Sequence, residues 1–366
     1  DEMSKKISSY LTAAVFALFI AVFGIILAAK PDVGYIKSEK RTAAKMPPVS
    51  QIGQSGYSEK LEKYIADRFP AREFFRRVRV ASASCIFMQS EVNGYRRAGK
   101  SVFPTVYPLN SRRVGGSARL FADISAKYFP ESNIYHCVIP DKSLYLSDSM
   151  AIDPAELQRI FAEAFGETAV QIDITDALSG DSFYYTDIHW RQEALSGVLT
   201  ALSEKMHFGL FGEDELTLTD GGEFYGSLAG QAAFPFVGKD RLLCYESAVF
   251  GACTVEKDGR AGSIYDAGAA EQSGDKYDIF LGGESALTVI TNADADPDRS
   301  LVIFRDSFAR SLAPLMLKSY SKIVLVDLRW MQSDMLGEYA DVIPSDENTD
   351  VLFLLGTQVL NSMVYR

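Results

Sequence analysis

The fold is decided by one stretch of sequence, Leu301-Val302-Ile303-Phe304-Arg305-Asp306-Ser307-Phe308-Ala309-Arg310. Its first four residues form a short apolar run, which is typical of a strand buried on both faces of a parallel sheet. A polar turn and a helix follow, so we expect Ser307 at the carboxyl edge of the sheet, where open α/β folds bind ligands. Free backbone N–H groups at a helix N-terminus can also receive an oxyanion there. Simple capping of the helix by Asp306 or Ser307 explains the same pattern.

The same alternation of strands and helices continues on both sides of this stretch. Further apolar runs predict strands at 134–139, 170–174, 323–326 and 351–355. Helices are predicted at 153–165, 191–206, 309–318 and 331–339. This rhythm predicts an α/β fold with a doubly wound, mostly parallel sheet. Residues 208–292 are rich in glycine and in short alternating runs, which predicts an antiparallel β insertion.

An uncharged apolar segment lies near the start of the sequence, at residues 7–29. As a helix it spans roughly 34 Å, enough for a hydrocarbon core of about 30 Å, which predicts a transmembrane anchor. A cleaved signal peptide is the alternative, but the run is long for one and Leu27-Ala28-Ala29 is a poor cleavage site. Residues 1–6 are then predicted to be cytoplasmic, although the basic residues after the anchor favour the opposite orientation. Residues 30–100 are predicted to form a juxtamembrane linker with helices, and residues 101–366 the main domain.

Composition excludes several classes of function. The 366 residues carry a formal net charge of -11, with 47% hydrophobic and 23% charged residues. This fits a folded protein that does not bind nucleic acid. No zinc-ligand spacing and no phosphate-binding glycine motif is present in the sequence, so neither a metal nor a cofactor is expected. Four separate buried thiols are the favoured interpretation of Cys85, Cys137, Cys244 and Cys253, with a Cys244–Cys253 disulfide as the alternative.

Only three histidines can serve as a general base. His136 lies inside an apolar strand and His207 at the end of a helix, so both are expected to be structural. His189 follows Asp187 by two residues, and in an extended backbone their side chains point the same way. A carboxylate that orients an imidazole is what a serine nucleophile requires. An Asx-turn and a helix cap are the alternative.

A third element is the turn Gly356-Thr357-Gln358, which follows the strand at 351–355. The Gln358 amide is a candidate hydrogen-bond donor to an oxyanion. An ordinary turn explains this element equally well.

Several blocks of the sequence resemble one family. Asp187-Ile188-His189-Trp190 resembles the signature of the DHHW family of bacterial surface proteins. Blocks that resemble the same family are Lys63-Tyr64-Ile65-Ala66-Asp67-Arg68-Phe69-Pro70-Ala71-Arg72, Phe224-Tyr225-Gly226-Ser227-Leu228, Tyr277-Asp278-Ile279-Phe280-Leu281-Gly282-Gly283, Phe304-Arg305-Asp306-Ser307-Phe308 and Val326-Asp327-Leu328-Arg329-Trp330. The resemblance extends from about Met46 onward.

The DHHW family is similar to the SGNH-like proteins of alginate O-acetylation, where the Asp-x-His block precedes the serine block. The resemblance implies an SGNH-hydrolase-like fold with Ser307 as nucleophile, His189 as base and Asp187 as orienting acid. Gly356 and Gln358 stand where SGNH enzymes carry an oxyanion Gly-x-Asn, with Gln in place of Asn.

Two further positions differ from these patterns. Ile188 stands at the second position of the DHHW signature, where the family has a histidine, and this leaves the three candidate side chains in place. Arg305 replaces a glycine of the SGNH serine motif and is a candidate contact for an anionic substrate, with restriction of the pocket as the alternative.

The predicted function is O-acetylation of a cell-surface or secreted polysaccharide by an extracytoplasmic, membrane-anchored domain. Arg329 and Trp190 are candidate sugar contacts, although packing roles explain both equally well. The resemblance also implies a multi-pass membrane acyltransferase as a partner that supplies the acetyl group. Two alternatives remain open: a carbohydrate acetylesterase with the same three residues, and a non-catalytic glycan-binding or assembly protein.

Overall fold

A computed structural model describes residues 2–32, 34–146, 150–363 and 365 of the chain. The chain forms two compact units, one made of Asp1–Asn93 with Ala229–Pro235 and the other of Gly94–Leu228 with Phe236–Arg366. The sequence did not predict that a short segment from within 208–292 joins the N-terminal unit.

The described residues form strands β1 (Tyr35–Ile36), β2 (Arg41–Thr42), β3 (Glu91–Val92), β4 (Tyr95–Ala98), β5 (Ser101–Pro104), β6 (Asn133–Ile139), β7 (Val170–Gln171), β8 (Thr217–Phe224), β9 (Asp240–Glu246), β10 (Cys253–Lys257), β11 (Arg260–Gly262), β12 (Leu287–Asn292), β13 (Ser300–Arg305), β14 (Lys322–Val326) and β15 (Thr349–Gly356). The α-helices are α1 (Glu2–Ala29), α2 (Tyr57–Arg68), α3 (Arg72–Ala81), α4 (Ser111–Tyr128), α5 (Pro154–Phe165), α6 (Ser196–Met206), α7 (Ser227–Ala232), α8 (Ala248–Ala252), α9 (Ala267–Ser273), α10 (Ala309–Leu312) and α11 (Thr357–Ser362).

The N-terminal unit contains the apolar helix α1. Its segment Lys6–Ala29 has a mean hydropathy of 2.8 and is long enough to cross a membrane, a property that a signal sequence shares. The rest of this unit is held by ion pairs, because the Asp67 carboxylate of α2 accepts hydrogen bonds from Arg41 at 2.5 and 2.8 Å. Arg76 of α3 donates to the carbonyl oxygens of Gly230 and Gln231, which binds the segment Ala229–Pro235.

The second unit is built on an eight-stranded sheet with the order β11-β10-β12-β14-β13-β15-β6-β7. The strands from β14 to β7 are parallel, and β12, β10 and β11 extend this sheet in antiparallel fashion. The doubly wound, mostly parallel sheet predicted from the sequence is therefore confirmed. Within residues 208–292, β8 and β9 form a separate antiparallel pair, whereas β10, β11 and β12 belong to the main sheet.

Alternate residues of the central strands point to opposite faces of the sheet. Leu301 and Ile303 of β13 join a core that includes the apolar side of α6, whereas Val302 and Phe304 join a core with α4 and α5. Each such buried side chain contributes about 1.5–3 kcal/mol of transfer free energy. Because both faces are covered, β13 can place functional groups only at its ends.

Several predicted elements differ from the structure in their bounds. The strand predicted at 170–174 ends at Gln171, and the helix predicted at 191–206 is a 3-10 segment, Gln192–Ala194, followed by α6. The helix predicted at 309–318 is split into α10 and a 3-10 segment, Ala313–Met316, because Pro314 has no N–H group to donate. The segment predicted at 331–339 is a 3-10 helix, Ser333–Tyr339.

All four cysteines are free thiols, and the expectation of four buried thiols is wrong for Cys85, which is exposed, and for Cys253, which is half-buried.

Candidate functional site

Ser307 lies in the turn between β13 and α10, at the carboxyl edge of the parallel strands. The neighbouring Asp306 carboxylate shapes this turn, because it accepts hydrogen bonds from the backbone N–H groups of Phe308 at 3.0 Å and Gly356 at 2.7 Å. Burial raises the pKa of Asp306, while Arg329 and these two N–H groups oppose the rise. The carboxylate therefore ties the serine turn to the end of β15, and Ser307 itself remains 9% exposed.

Asp187 and His189 lie in the Asp-His loop, which we define as residues 184–189. The ends of this loop are closed by a hydrogen bond from the Tyr184 N–H to the His189 carbonyl at 3.1 Å and by a β-bridge between Phe183 and Trp190. These contacts make the loop a tight reversal at the carboxyl edge.

Asp187, His189 and Ser307 form a continuous chain of hydrogen bonds. The distance from His189 Nδ1 to Asp187 Oδ1 is 2.5 Å, and from His189 Nε2 to Ser307 Oγ it is 2.6 Å. The tautomer with hydrogen on Nδ1 satisfies both contacts, since Nδ1 then donates to the carboxylate and Nε2 accepts the serine proton. Asp187 is buried and His189 is 8% exposed, so the carboxylate is shielded while the imidazole edge reaches the surface. This geometry suits transfer of a proton from Ser307 to His189.

The second carboxylate oxygen of Asp187 is also occupied. Oδ2 accepts hydrogen bonds from the Ser227 N–H at 2.9 Å and from the Ser227 hydroxyl at 3.3 Å. The residue before Ser227 must be small, because a Cβ atom at Gly226 would lie 2.3 Å from Asp187 Cβ and 2.4 Å from the Thr186 carbonyl oxygen. The Gly226-Ser227 pair therefore lies directly against the carboxylate and orients it.

Tyr277 supports the imidazole from one face. Its ring is nearly parallel to that of His189, with an interplanar angle of 8° and ring centroids 3.8 Å apart. The Tyr277 hydroxyl lies 3.0 Å from Ser311 Oγ, and burial raises its pKa, so it remains a neutral phenol. The stack limits the rotation of His189 without adding charge.

The two predicted oxyanion residues have different surroundings. The Gly356 N–H donates to Asp306, so it is not available to a substrate, and its expected role as a donor is wrong. Gln358 lies on α11, is half-buried, and its Oε1 atom has no hydrogen-bond partner among the residues that the structure describes. Gln358 stays a candidate.

Two of the three predicted substrate contacts are buried. Arg305 is 1% exposed, its guanidinium lies 3.3 Å from the Asp327 carboxylate and donates to Ser285, and burial lowers its pKa to about 10. Trp190 is fully buried and its Nε1 donates to the Phe308 carbonyl at 3.1 Å. Arg305 is too buried to contact an anionic substrate and Trp190 too buried to contact a sugar, so both expectations are wrong.

Arg329 and Trp330 lie beyond β14 at the same edge of the sheet. Arg329 donates to both oxygens of Asp327, at 2.9 and 2.6 Å, and its side chain is 15% exposed. Trp330, to which the sequence analysis assigned no role, is 59% exposed.

The burial of Trp190 had a signal in the sequence. Alternate residues of an extended segment point to opposite sides, so Trp190, which directly follows His189, is expected to face the core.

The other two histidines lie away from this chain of hydrogen bonds. His136 is buried and stacks on Phe165 with ring centroids 5.2 Å apart, and burial lowers its pKa to about 4. His207 is exposed and ends α6 in a left-handed conformation.

The sequence analysis assigned no role to Ser227 and Tyr277, which contact Asp187 and His189. It also assigned none to Lys142 and Asp240, which form hydrogen bonds with the backbone of the Asp-His loop. Ser227 and Tyr277 stand in blocks that were recognised only as motifs. Lys142 follows β6 at the carboxyl edge of the sheet, where a buried charge requires a partner, but its partners are distant in sequence.

Comparisons with known proteins establish the fold. No family model and no curated protein matches the chain. Among solved structures, a DHHW family protein from Eubacterium siraeum is similar, with a TM-score of 0.59 and 17% identity over 75% of this chain and 91% of that chain. Bacillus cereus PatB1 has a TM-score of 0.56 at 17% identity, over 74% of this chain and 97% of that one.

PatB1 has also been solved with a sulfonyl adduct, in a structure that gives a TM-score of 0.55. The O-acetyltransferase domain of Pseudomonas putida AlgJ gives a TM-score of 0.42 at 12% identity, over 72% of this chain and 91% of that chain, which is too distant to support an inference. The chain thus shares the fold of the DHHW protein and of PatB1, and the resemblance predicted from the motifs is confirmed at the level of the fold.

Proposed function

We propose that this protein is a polysaccharide O-acetyltransferase that works through an acetyl ester on Ser307. The observation that carries the proposal is the hydrogen-bonded chain from Asp187 through His189 to Ser307, with distances of 2.5 and 2.6 Å. The motifs shared with SGNH-like proteins of alginate O-acetylation support acetyl as the transferred group.

The proposed reaction has two balanced steps. In the first, Ser307 Oγ attacks the carbonyl carbon of an acetyl donor while His189 Nε2 takes the hydroxyl proton and then returns it to the leaving group. In the second, His189 removes a proton from a sugar hydroxyl, which attacks the acetyl-serine; the sugar ester forms and Ser307 regains its proton. Asp187 stabilises the imidazolium in both steps. Gln358 is the candidate side-chain donor to the tetrahedral oxyanion.

The proposed acceptor surface includes Trp330. An exposed indole ring supplies a flat apolar face for a pyranose ring, and Arg329 beside it offers N–H groups for hydroxyl or carboxylate groups. The acidic chain disfavours polyphosphate acceptors. A neutral or weakly charged polysaccharide is the acceptor that fits these features.

We also propose that α1 remains as a membrane anchor and that the second unit works outside the cytoplasm. A polysaccharide acceptor outside the cell requires an acetyl donor that has crossed the membrane. A multi-pass membrane acyltransferase is the proposed source of that donor.

The direct test uses the full chain in detergent micelles with two reagents. Methanesulfonyl fluoride sulfonylates an activated serine with loss of fluoride, and the sulfonyl adduct described for PatB1 supports this choice of probe. A small activated acetyl ester tests acetyl transfer. Intact mass and peptide mapping should place both groups on Ser307, and neither should form in a Ser307→Ala variant.

An Asp187→Asn variant should keep the serine but lose about 10⁴-fold in turnover, the scale seen when the acid of a serine triad is neutralised. Ser132→Ala is a matched control, because the Ser132 hydroxyl donates only to the Asp346 carbonyl, and it should be labelled like the wild type. Addition of an oligosaccharide acceptor distinguishes the transferase hypothesis from the esterase hypothesis. Formation of an O-acetylated sugar supports the transferase, whereas release of free acetate alone supports the esterase. Equal labelling of the wild type and Ser307→Ala would refute both.

A further inference from the structure

The Asp-His loop is held from its carbonyl side by one buried lysine. Lys142 is 2% exposed, and its ammonium donates to three backbone carbonyls: Tyr184 at 3.0 Å, Tyr185 at 3.3 Å and Asp187 at 2.8 Å. An ammonium group has three N–H donors, so all of them are used on this loop. Lys142 is therefore neither a nucleophile nor a base in this arrangement.

The same loop is held from its N–H side by one buried carboxylate. Asp240, at the start of β9, is 1% exposed. Its Oδ1 atom accepts from the Tyr185 N–H at 2.8 Å, and Oδ2 accepts from the Thr186 N–H at 2.8 Å and the Thr186 hydroxyl at 2.7 Å. Six hydrogen bonds to two buried ions thus fix four consecutive residues.

Lys142 is costly to bury without this loop, and Asp240 has one further charged partner, the Arg191 guanidinium at 3.2 Å. Burial lowers the pKa of Lys142 to about 8, and the carboxylates of Asp187, Asp141 and Asp240 oppose that shift. Charge-assisted hydrogen bonds are short and strongly directional, so the loop backbone has little freedom to shift while both ions are in place. A buried charge that loses its partners is strongly destabilising, which locks the two ions and the loop into one arrangement.

We propose that Lys142 and Asp240 form an ionic clamp that positions the Asp-His loop, so that Asp187 and His189 are aligned with Ser307 before any substrate binds. The proposal rests on the proposed function. The two ions act through the loop backbone and the Thr186 hydroxyl, and they are positioning residues. A loop that lacked the clamp would keep its side chains but lose the alignment of the 2.5 and 2.6 Å contacts.

The test compares Lys142→Met and Asp240→Asn with Arg299→Met in the full chain. Arg299 is a matched control because it also donates to backbone carbonyls, those of Met206 at 2.6 Å and His207 at 2.8 Å, at the opposite edge of the sheet. Displacement of reacting groups by about 1 Å costs on the order of 100-fold in rate. We expect kcat and the rate of Ser307 sulfonylation to fall by about 100-fold in each clamp variant, with the KM for the acetyl donor unchanged, and to stay at the wild-type level in Arg299→Met.

A spectroscopic signature keeps the proposal testable apart from turnover. The proton between His189 Nδ1 and Asp187 should give a low-field proton resonance in the wild type and in Arg299→Met, and this resonance should be lost or shifted in the clamp variants. If Lys142→Met does not fold, Asp240→Asn, which keeps the shape of its side chain, should show the same loss. If Lys142→Met and Asp240→Asn fold and show the wild-type kcat and an unchanged resonance, the proposal that these ions position the Asp-His loop is wrong. A wild type that shows the resonance but no sulfonylation would overturn the proposed function and leave the clamp supported.

Discussion

Replacement of Gly226 by alanine is the sharpest test of how closely the site is packed. The new Cβ atom would lie 2.3 Å from Asp187 Cβ and 2.5 Å from Asp187 Oδ2, whereas ordinary van der Waals contact begins at 3.4 Å. The Gly226 backbone does not have a positive φ angle, so alanine acts through these contacts and through one of 2.4 Å with the Thr186 carbonyl oxygen. The Asp187 side chain or the Gly226 backbone must therefore move by about 1 Å.

The size of the effect follows from that displacement. A shift of about 1 Å in a group that aligns a general base costs on the order of 100-fold in rate. The extra methyl group in a packed region also lowers the free energy of unfolding by about 1–3 kcal/mol. We expect Gly226→Ala to fold, to sulfonylate Ser307 about 100-fold more slowly than the wild type, and to unfold at a lower urea concentration.

Gly116→Ala is the matched control for this experiment. Gly116 lies on α4 and has no atom within 4 Å of its added Cβ, so the substitution should raise the stability by about 1 kcal/mol through helix propensity and leave the labelling rate unchanged. The rate constant for sulfonylation, followed by intact mass, is the assay. A Gly226→Ala protein that is labelled within threefold of the wild-type rate would show that the carboxylate is not held as described.

Four further substitutions report on other parts of the molecule. Trp330→Ala should raise the KM for an oligosaccharide acceptor without slowing Ser307 labelling. Trp190→Phe should instead lower the free energy of unfolding in urea by about 1–3 kcal/mol, because it removes a buried hydrogen bond. A raised acceptor KM with unchanged stability in Trp190→Phe would show that Trp190 does belong to the acceptor surface. Asp327→Asn should lower the free energy of unfolding by about 3–5 kcal/mol, since it leaves the buried Arg305 guanidinium without its anion. A loss under 1 kcal/mol would argue against the Arg305–Asp327 ion pair. Burial lowers the pKa of His136 in the folded protein to about 4, so the unfolded chain binds a proton at this histidine at a higher pH than the folded one does. The free energy of unfolding should therefore be unaffected by His136 above pH 6.5 and should decline by about 3 kcal/mol as the pH falls from 6.5 to 4. A His136→Phe variant should lack that part of the decline in urea titrations at each pH, and equal declines in both proteins would contradict the assignment.

The fold was predictable where burial leaves one choice. Residues 301–304 and 351–355 are apolar without interruption, and only a strand covered on both faces accommodates such short runs, so β13 and β15 lie within two residues of their predicted bounds. Predictions failed where one residue changes the local chemistry, as Pro314 does for the helix after Ser307.

The candidate site was predictable in its chemistry but not in its supports. The spacing of Asp187 and His189 is local, and Ser307 is marked by the strand before it, so both signals can be read along the chain. The groups that hold them act across long separations: Lys142 reaches a carbonyl 45 residues away and Asp240 an N–H group 55 residues away. Such contacts leave no periodic trace in a sequence, and only the folded backbone brings these residues together.

The order of strands in the main sheet has a consequence for how the chain matures. β15 pairs with both β13 and β6, and its register sets Asp350 beside Asn133, 217 residues away. Because the chain is synthesised from its N-terminus, β6 and the Asp-His loop are made long before β15, the strand that completes the sheet. Such distant pairing slows folding and leaves apolar strands exposed to incorrect pairing until β15 is available. Because the Gly356 N–H at the end of β15 donates to Asp306, the serine turn depends on the strand that is made last for one of its hydrogen bonds.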